Sequence, residues 1–368
     1  MMFDVRAIRR LDKLFLIAIL LLSLIGIAFI WSTTHYITYR THLAQTQVKW
    51  LAISLVAFAA ILTVDYKHLR TLAYPIYILT VLALIYVLVF GEVRQNARRW
   101  ITLFGYNLQP SEFAKIAVVL ALARYLQYRR NQRKLTGLIV PFLIVLVPMG
   151  LIVVEPDLGT TLVFLPALFV MLYVAGASVK HLGAVVAAGA ACAPLMWIYA
   201  MSPRQQGRIL GFINPLGYAS REGWHVRQSL AAIVSGGWTG QGFSSGSPVL
   251  LNRGFAAHTD FIYSVIAHET GFLGAVVVLL LIFLMFSRGV EIAGVTREPF
   301  GRYVCAGLLT ILAFQTLVNI AMTIRLCPIT GLTLPFVSYG GSSLLSCFMM
   351  AAIILSVGMR RKAVMAPG

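Results

Sequence analysis

Four ionisable side chains lie within one short stretch of an otherwise apolar chain. Residues 255–272 read FAAHTDFIYSVIAHETGF and contain His258, Asp260, His268 and Glu269. The HET triplet begins like the HExxH helix of zinc proteases, but Phe272 stands where the second histidine would be, which excludes that chemistry. Ionisable groups are costly inside a membrane and usually have a function there, so we expect a functional role for Asp260. The alternative is that Asp260 only caps a helix that begins near Phe261.

Other charged residues also occur at the borders of apolar runs. The stretch QPSEFAKIA places Glu112 and Lys115 three residues apart on one helix face, an arrangement that allows either a structural ion pair or direct chemistry. The stretch VEPDLGT contains Glu155 and Asp157. We expect one of these two acids to cap a helix and the other to face a polar cavity.

The segment 201–261 is rich in arginine. It contains a single acid, Glu222, before Asp260 is reached, against five arginines, which are Arg204, Arg208, Arg221, Arg227 and Arg253. This ratio favours an anionic ligand, although contact between interfacial arginines and lipid phosphates explains it equally well.

Apolar runs must position all of these side chains. The 368 residues are 59% hydrophobic and 11% charged, whereas a soluble domain is about 45–50% apolar. The composition indicates one integral membrane domain, 1–368, of all-α class. The four cysteines lack CxxC spacing, so we interpret them as packing residues.

Hydropathy predicts about ten transmembrane helices, since a span needs about 20 apolar residues. The predicted spans are 14–31, 47–64, 71–90, 111–128, 136–153, 159–175, 182–200, 262–286, 303–322 and 343–359. Basic residues concentrate in alternate connections, which predicts that both termini are cytoplasmic and explains the net charge of +18 without nucleic acid. Pro156 lies just before the span 159–175 and Pro166 lies within it, so we expect this span to be broken or re-entrant.

The opposite, extracytoplasmic side receives a large loop, about 201–261, between helices 7 and 8. Within it, WHVRQSLAAIVSGGW predicts an amphipathic interfacial helix whose apolar face carries Val226, Leu230, Ile233 and Val234. The following SGGWTGQGFSSGSP predicts a flexible loop, without P-loop spacing. The last outer segment, CPITGLTLPFVSYGGSS, favours a rigid non-helical backbone that lines a polar cavity.

The chain resembles the SEDS family (shape, elongation, division, sporulation) of peptidoglycan polymerases, which includes RodA and FtsW. The matching stretches run in order along nearly the whole chain: RRW (98–100), QPSEFAKIA (109–117), EPDLGT (155–160), GRILGFINP (207–215), QSLAAIVSGG (228–237), HTDFI (258–262) and PITGLTLPFVSYGGSS (328–343). The combination is specific, although each stretch alone is weak. The short tails are more similar to RodA than to FtsW.

The resemblance implies a glycosyltransferase of the bacterial inner membrane that polymerises lipid II, a disaccharide-pentapeptide on undecaprenyl pyrophosphate, for elongation and rod shape. It implies Asp260 as the catalytic base. Arg208, with Arg204, Arg221 or Arg227 as alternatives, is the candidate to hold the pyrophosphate. The other residues that it implies for substrate binding or for the cavity are Trp100, Glu112, Lys115, Asp157, Gln228, Ser229, His258, Thr259, Ser338 and Tyr339.

The resemblance also implies a divalent cation, Mg²⁺ or Mn²⁺, whose ligands the sequence does not identify, and a class B penicillin-binding protein as partner. His268 departs from the family, in which glutamate is common at that position. The alternatives are a transporter or flippase of lipid-linked precursor, an FtsW-type division polymerase, and, with less support, a scaffold protein.

Overall fold

A computed structural model describes residues 10–35, 42–94, 97–103, 105–128, 133–195, 197–198, 201–213, 221–245 and 256–360. Its helices are α1 (Lys13–Thr34), α2 (His42–Thr63), α3 (Tyr66–Phe90), α4 (Pro110–Tyr128), α5 (Ile139–Val154), α6 (Leu158–Val174), α7 (Val179–Leu195), α8 (Pro203–Ile213), α9 (Arg221–Gly236), α10 (Ile262–Val295), α11 (Pro299–Thr323) and α12 (Gly341–Met359). A 3₁₀ turn, Leu135–Leu138, precedes α5.

Each of the ten predicted spans overlaps one of these helices, with bounds that differ by several residues. Seven of them are long and apolar enough to cross a membrane: α1, α2, α3, α5 with its 3₁₀ turn, α10, α11 and α12. The helices α6 and α7 are apolar but shorter, and α4 carries Glu112, Lys115 and Arg124. The structure therefore supports seven of the ten predicted crossings by length and composition.

The centre of the bundle is formed by α4, α11 and α12. The apolar window of α12 is 83% buried and that of α11 is 56% buried, whereas those of α2 and α3 are 22% buried. The peripheral helices pack around this centre, with α2 along α12, α3 along α4, and α1 along α10. The residues near the ends of the central helices are therefore held in place by packing.

A small antiparallel sheet interrupts the helical chain. Its strands are β1 (Glu92–Arg94), β2 (Ala97–Leu103) and β3 (Tyr106–Leu108), in the order β1-β2-β3, with Trp100 opposite Glu92 and Ile101 opposite Leu108. The prediction of an all-α chain is wrong here. The run Trp-Ile-Thr-Leu favours a strand, and Gly105, with φ of +79°, occupies the turn before β3.

The expectation about helix continuity is also wrong. The expected break in 159–175 is absent, since α6 runs through Pro166 without interruption. The break lies instead in α10, where Gly271 has φ of 68° and ψ of −164°. Such a conformation suits glycine, and a lone glycine in a helical pattern is the only sequence signal of this break.

The glycine loop after α9 forms backbone hydrogen bonds with the chain at this break. Its backbone groups bond to the groups that the interrupted α10 leaves without helical partners. The bonds are Gln241 N to His268 O (3.0 Å), Gly242 N to Glu269 O (3.1 Å), Phe272 N to Gly237 O (2.9 Å) and Leu273 N to Trp238 O (3.3 Å). In the described part of the loop, 237–245, backbone bonds therefore replace those that the helix lacks, a contact that the prediction of a flexible loop did not include.

The predicted amphipathic helix exists as α9, but its buried face differs from the predicted one. Val226, Ser229, Ala232 and Gly236 face α10, and a side chain at Gly236 would clash with the Ala267 carbonyl. Val234, which was assigned to the apolar face, is 79% exposed. Small residues let two helices approach closely, so packing against α10 decides which face is buried.

Candidate functional site

The turn 256–261 holds Asp260 immediately before α10. Three consecutive carbonyls of this turn accept hydrogen bonds from elsewhere in the chain. The donors are Tyr339 N to His258 O (3.0 Å), Ser338 Oγ to Thr259 O (2.8 Å) and Asn319 Nδ2 to Asp260 O (2.9 Å). The backbone position of Asp260 is therefore set by α11 and by the loop 324–340.

The carboxylate of Asp260 does not act as a helix cap. Phe261 is the N-cap residue of α10, and no side chain caps that helix, so the capping alternative is wrong. Within the described part of the chain, no hydrogen-bond donor contacts the carboxylate. Its Oδ2 lies 3.9 Å from the position that a Cβ would take at Gly331, so a glycine leaves the space beside it open. This carboxylate can accept a proton from a bound hydroxyl.

The pKa of Asp260 is suitable for a general base. Burial raises its pKa from 3.8 to about 6, with a further upward contribution from Asp157 and a downward one from Arg208. The group is therefore mainly ionised at neutral pH and more basic than an ordinary aspartate, which favours proton abstraction.

Arg208 approaches this carboxylate from α8. Its Nη1 donates to Thr330 O at 3.2 Å, which joins α8 to the loop 324–340. The same loop segment packs against the start of α6, because a Cβ at Gly159 would lie 2.6 Å from Thr330 O. Arg208 is thus held beside Asp260, and a guanidinium suits the geometry of phosphate.

Of the other arginines of the predicted cluster, only Arg227 has a described side chain. Arg227 is exposed on α9. The side chains of Arg204 and Arg221, and the whole of Arg253, lie outside the described residues. Among the described arginine side chains of the 201–261 segment, Arg208 is therefore the one that reaches the Asp260 region.

Of the two acids Glu155 and Asp157, it is Asp157 that caps a helix. Its carboxylate also faces the side chains of Gln109 and Arg99. It caps α6 through Thr160 N (3.2 Å) and accepts from Thr160 Oγ1 (3.0 Å). It also accepts from Gln109 Nε2 at 3.1 Å and lies 3.7 Å from Arg99 Nη1. Its charge is therefore balanced within the protein.

Glu155 has a different environment. The side chain is 1% exposed, and neither carboxylate oxygen has a hydrogen-bond partner among the described residues. Arg99 Nε donates to the Glu155 carbonyl at 2.7 Å rather than to the carboxylate. Burial and the neighbouring Asp157 raise the pKa of Glu155 to about 8, with Arg99 acting in the opposite direction. Glu155 is therefore mostly protonated at neutral pH.

Glu112 and Lys115 form a buried ion pair. Lys115 Nζ lies 2.7 Å from Glu112 Oε2, and Ser346 Oγ donates to the same oxygen at 2.7 Å. Lys115 is 0% exposed. This geometry satisfies both charges internally, which agrees with the structural alternative.

The remaining predicted residues fall into two groups. His258 and Thr259 belong to the Asp260 turn, and Ser338 and Tyr339 donate hydrogen bonds to it, with the His258 and Tyr339 rings 5.7 Å apart. Trp100, Gln228 and Ser229 show no described contact with that turn: Trp100 lies in β2, Gln228 is half-buried on α9, and Ser229 bonds to Ser264 Oγ (2.6 Å) and Thr323 O (2.7 Å).

His268 and Glu269 lie at the helix break and not at Asp260. His268 Nδ1 is 2.7 Å from Ser235 Oγ, and Glu269 accepts from Ser32 Oγ and from Ser244 N. These bonds tie α1, α9 and the glycine loop to α10. The unusual His268 is therefore part of the support of the break.

Four residues near the site were missed by sequence reasoning, namely Arg99, Gln109, Asn319 and Thr330. Arg99 precedes Trp100 in the RRW stretch, and Gln109 begins QPSEFAKIA, so both lay inside quoted motifs. Asn319 is a lone amide inside an apolar span, and such polar residues are functional candidates in membranes.

The described side chains do not by themselves assemble a metal site. Within the described ranges, no group of three or more His, Cys, Asp or Glu residues could hold a metal ion. Asp157 already accepts bonds from Gln109 and Thr160 and faces Arg99. The described residues therefore do not fit a protein-only Mg²⁺ or Mn²⁺ site, since such ions need oxygen ligands that remain available.

Comparisons with known proteins bear on the whole chain. The FtsW, RodA and SpoVE family model, described as cell cycle protein, matches residues 12–363. A probable peptidoglycan glycosyltransferase FtsW from Trichlorobacter lovleyi is 32% identical over 356 residues, 94% of this chain and 92% of the relative. A solved structure that concerns a peptidoglycan synthase complex and its coordination of polymerization and crosslinking is 30% identical, with a TM-score of 0.83, over 95% of this chain and 97% of that one. The rod shape determining protein RodA of Thermus thermophilus is 29% identical, with a TM-score of 0.72, over 96% and 98%.

Proposed function

The chain belongs to the FtsW, RodA and SpoVE family and is a peptidoglycan glycosyltransferase, and from this premise we propose that it polymerises lipid II with Asp260 as the catalytic base. The observation that carries the proposal is the environment of Asp260. Three donors hold the backbone carbonyls of its turn, whereas its carboxylate oxygens accept no hydrogen bond from the described residues. Its elevated pKa and the neighbouring Arg208 agree with this role.

In this mechanism the hydroxyl of an acceptor GlcNAc lies beside Asp260. The carboxylate takes the hydroxyl proton as the oxygen attacks the anomeric carbon of the donor MurNAc. The bond from that carbon to the pyrophosphate breaks, and the electron pair leaves with the pyrophosphate. Glycosidases need a second carboxyl as an acid for their alkoxide leaving group, but pyrophosphate leaves as an anion, so one base is sufficient.

Arg208 is the proposed contact for the leaving pyrophosphate. The guanidinium is held by Thr330 O beside the carboxylate, and a fixed cation stabilises charge that develops in the transition state. A requirement for Mg²⁺ or Mn²⁺ stays a prediction, and no step above depends on such an ion. Replacing each ion after chelation, in an assay of polymer length, tests it.

The substrate and partner complete the proposal. Several apolar helices and the family place the protein in the bacterial inner membrane, and we propose that Asp260 faces the outer side, where lipid II is displayed, with both termini cytoplasmic. A class B penicillin-binding protein is the proposed partner, because a related structure concerns a complex that coordinates polymerization and crosslinking. Polymer assays with and without such a transpeptidase test this part.

We also propose a role in elongation and rod shape. The similarity to the rod shape determining RodA supports it, whereas the FtsW relative makes division the alternative. Depletion followed by microscopy separates the two roles: rods that become spheres indicate elongation, and filaments indicate division.

The decisive experiment supplies labelled lipid II to the purified protein and measures glycan strands by gel electrophoresis. We expect polymer from the parent and none from Asp260→Ala, while both variants show the same melting temperature within a few degrees. If Asp260→Ala polymerises at the parent rate, the catalytic assignment is wrong.

Transport of the lipid-linked precursor is the second candidate, and the break of α10 at Gly271 favours it, since discontinuous helices are typical of transporters. Vesicles that carry fluorescent lipid II test this function. Movement across the bilayer without polymer, unchanged in Asp260→Ala, supports transport, and polymer that depends on Asp260 supports the enzyme.

A further inference from the structure

Asn319 is a buried amide on α11, less than two turns before that helix ends at Thr323. Its side chain is 0% exposed, in a helix whose other inward residues are mainly apolar. A buried amide is costly unless its polar atoms are bonded, and for Asn319 the amide nitrogen is bonded whereas Oδ1 has no partner among the described residues. The bonds of Asn319 therefore indicate what the residue is for.

Both N–H groups of the Asn319 amide are used, and they reach two different segments. Nδ2 donates to Asp260 O at 2.9 Å and to Leu332 O at 2.7 Å. The orientation of the amide follows from these partners, because an amide oxygen in the same place would face two carbonyl oxygens. One side chain thus joins the Asp260 turn to the loop 324–340.

The bond to Asp260 is the last of three along the turn. The carbonyls of His258 and Thr259 are held by donors from within the loop itself, Tyr339 N and Ser338 Oγ. The Asp260 carbonyl is instead held by α11, a helix of the central bundle. The carboxylate and the loop that carries Gly331 and Thr330 therefore have a common support.

We propose that Asn319 is a positioning residue for Asp260, which fixes the carboxylate relative to the loop 324–340 and, through Thr330, relative to Arg208. This inference rests on the proposed function, because it concerns the geometry of the proposed base. A displacement of about 1 Å at a reacting group can reduce a rate on the order of 10²-fold. Asn319 itself touches no substrate in this proposal.

The test compares two buried amides of the same helix. Gln315 lies one turn before Asn319, is 1% exposed, and has no described bond to the Asp260 turn. We expect Asn319→Leu to reduce the saturated rate of lipid II polymerisation on the order of 10²-fold with little change in KM. We expect Gln315→Met to retain the rate within about twofold, as expected for a site that is not coupled to the reaction.

The variant Asn319→Asp adds a signature that loss of packing does not produce. Its carboxyl can donate one hydrogen bond when protonated and none when ionised. We therefore expect the ratio of its rate to the parent rate to fall as the pH rises, with melting temperatures recorded at each pH. If Asn319→Leu does not accumulate in the membrane, this pH ratio decides alone.

The outcomes are distinguishable from failure of the proposed function. If the parent makes polymer and Asp260→Ala does not, the catalytic assignment stands and the Asn319 variants can be interpreted. Rates equal to the parent in both Asn319 variants overturn the positioning role. A rate ratio for Asn319→Asp that is constant across pH also overturns it, since that result indicates a general loss of stability.

Discussion

The two ends of the helical bundle use carboxylates in opposite ways. At one end, which we call the basic end, Asp12, Asp65 and Glu298 each cap a helix with one oxygen and face an arginine with the other. The caps are Phe15 N (3.0 Å), Lys67 N (2.9 Å) and Gly301 N (2.6 Å), and the arginines are Arg288 (2.7 Å), Arg360 (4.0 Å) and Arg70 (3.9 Å). At the other end, the loop end, Asp157 follows the same scheme, but Asp260 and Glu155 do not.

This difference separates structural carboxylates from the candidate catalytic one. A carboxylate that caps a helix and faces an arginine has its lone pairs occupied. It therefore stabilises the helix terminus and is a poor base. Asp260 also precedes a helix, yet its carboxylate has no donor in the described chain, and the carbonyls of its turn are bonded instead. Position before a helix does not distinguish these cases; the bonding partners do.

The largest expected effect is the loss of polymerisation when Asp260 is replaced. The variant Asp260→Asn keeps the shape of the side chain and removes the base, so we expect polymerisation to fall by about 10²- to 10⁴-fold. The matched change at the basic end, Asp65→Asn, keeps a good capping residue, and we expect it to retain the parent rate within about twofold. Glycan synthesis from labelled lipid II measures both. Equal losses in the two variants would contradict the division of roles between the ends.

The next prediction concerns the pH dependence of the rate. Because Asp260 must be ionised to accept a proton and its pKa is about 6, we expect the rate to fall as the pH decreases through about 6. The neighbouring Arg208 lowers this pKa and Asp157 raises it. Arg208→Gln should therefore move the acid limb to higher pH, and Asp157→Asn should move it to lower pH.

Initial rates between pH 5 and pH 8 measure these limbs, with each curve scaled to its own maximum so that loss of pyrophosphate binding in Arg208→Gln does not obscure the shift. A control at the basic end, Arg360→Gln, should leave the limb in place. A common shift in all three variants would show that the limb does not report on Asp260.

A smaller effect, on stability alone, is expected at the basic end. Asp12 is 11% exposed at its side chain, caps α1, and accepts from Nε and Nη2 of Arg288 at 2.9 and 2.7 Å. We expect Asp12→Ala to lower the free energy of unfolding by about 1–2 kcal/mol, mainly through loss of the cap. Thermal unfolding in detergent measures the change. A loss of polymerisation well below the melting temperature would contradict a purely structural role.

How far the sequence predicts this molecule depends on how local each signal is. The apolar runs locate the helices because burial in lipid needs a continuous apolar stretch, and Asp260 is noticed because a carboxylate at the border of such a run is costly. The break at Gly271 is not predicted, since it is stabilised by the glycine loop about 30 residues earlier in the chain.

The partners of a side chain are the least predictable part of the site. Asn319 bonds to Asp260, 59 residues away, and to Leu332, 13 residues away, and neither contact follows from periodicity. The buried face of α9 was predicted from apolar spacing, but close contact with α10 through Ser229 and Ala232 decides it. In both cases a long-range contact determines the arrangement, and a single sequence does not record it.

The smallest expected effect on activity distinguishes Glu155 from Asp260 within the loop end. Neither carboxyl accepts a hydrogen bond from the described residues. The pKa of Glu155 is about 8, so this group is mostly protonated at pH 7 and is then uncharged, like an amide. Glu155→Gln should therefore retain the parent rate of polymerisation at pH 7. The contrast with Asp260→Asn would show that ionisation, and not burial, defines the base.

The free energy of unfolding should also depend on the protonation of Glu155. The pKa of Glu155 is raised on folding from 4.5 to about 8, so the folded protein binds this proton more tightly than the unfolded chain does. The free energy of unfolding of the parent should then decrease as the pH rises from about 4.5 to about 8, and Glu155→Gln should lack this decrease. Melting temperatures of parent and variant should coincide near pH 4.5 and separate by pH 8, with the variant higher. A variant that melts lower than the parent at pH 8 would mean that Glu155 is ionised and paired in the folded protein, and would group it with Asp157.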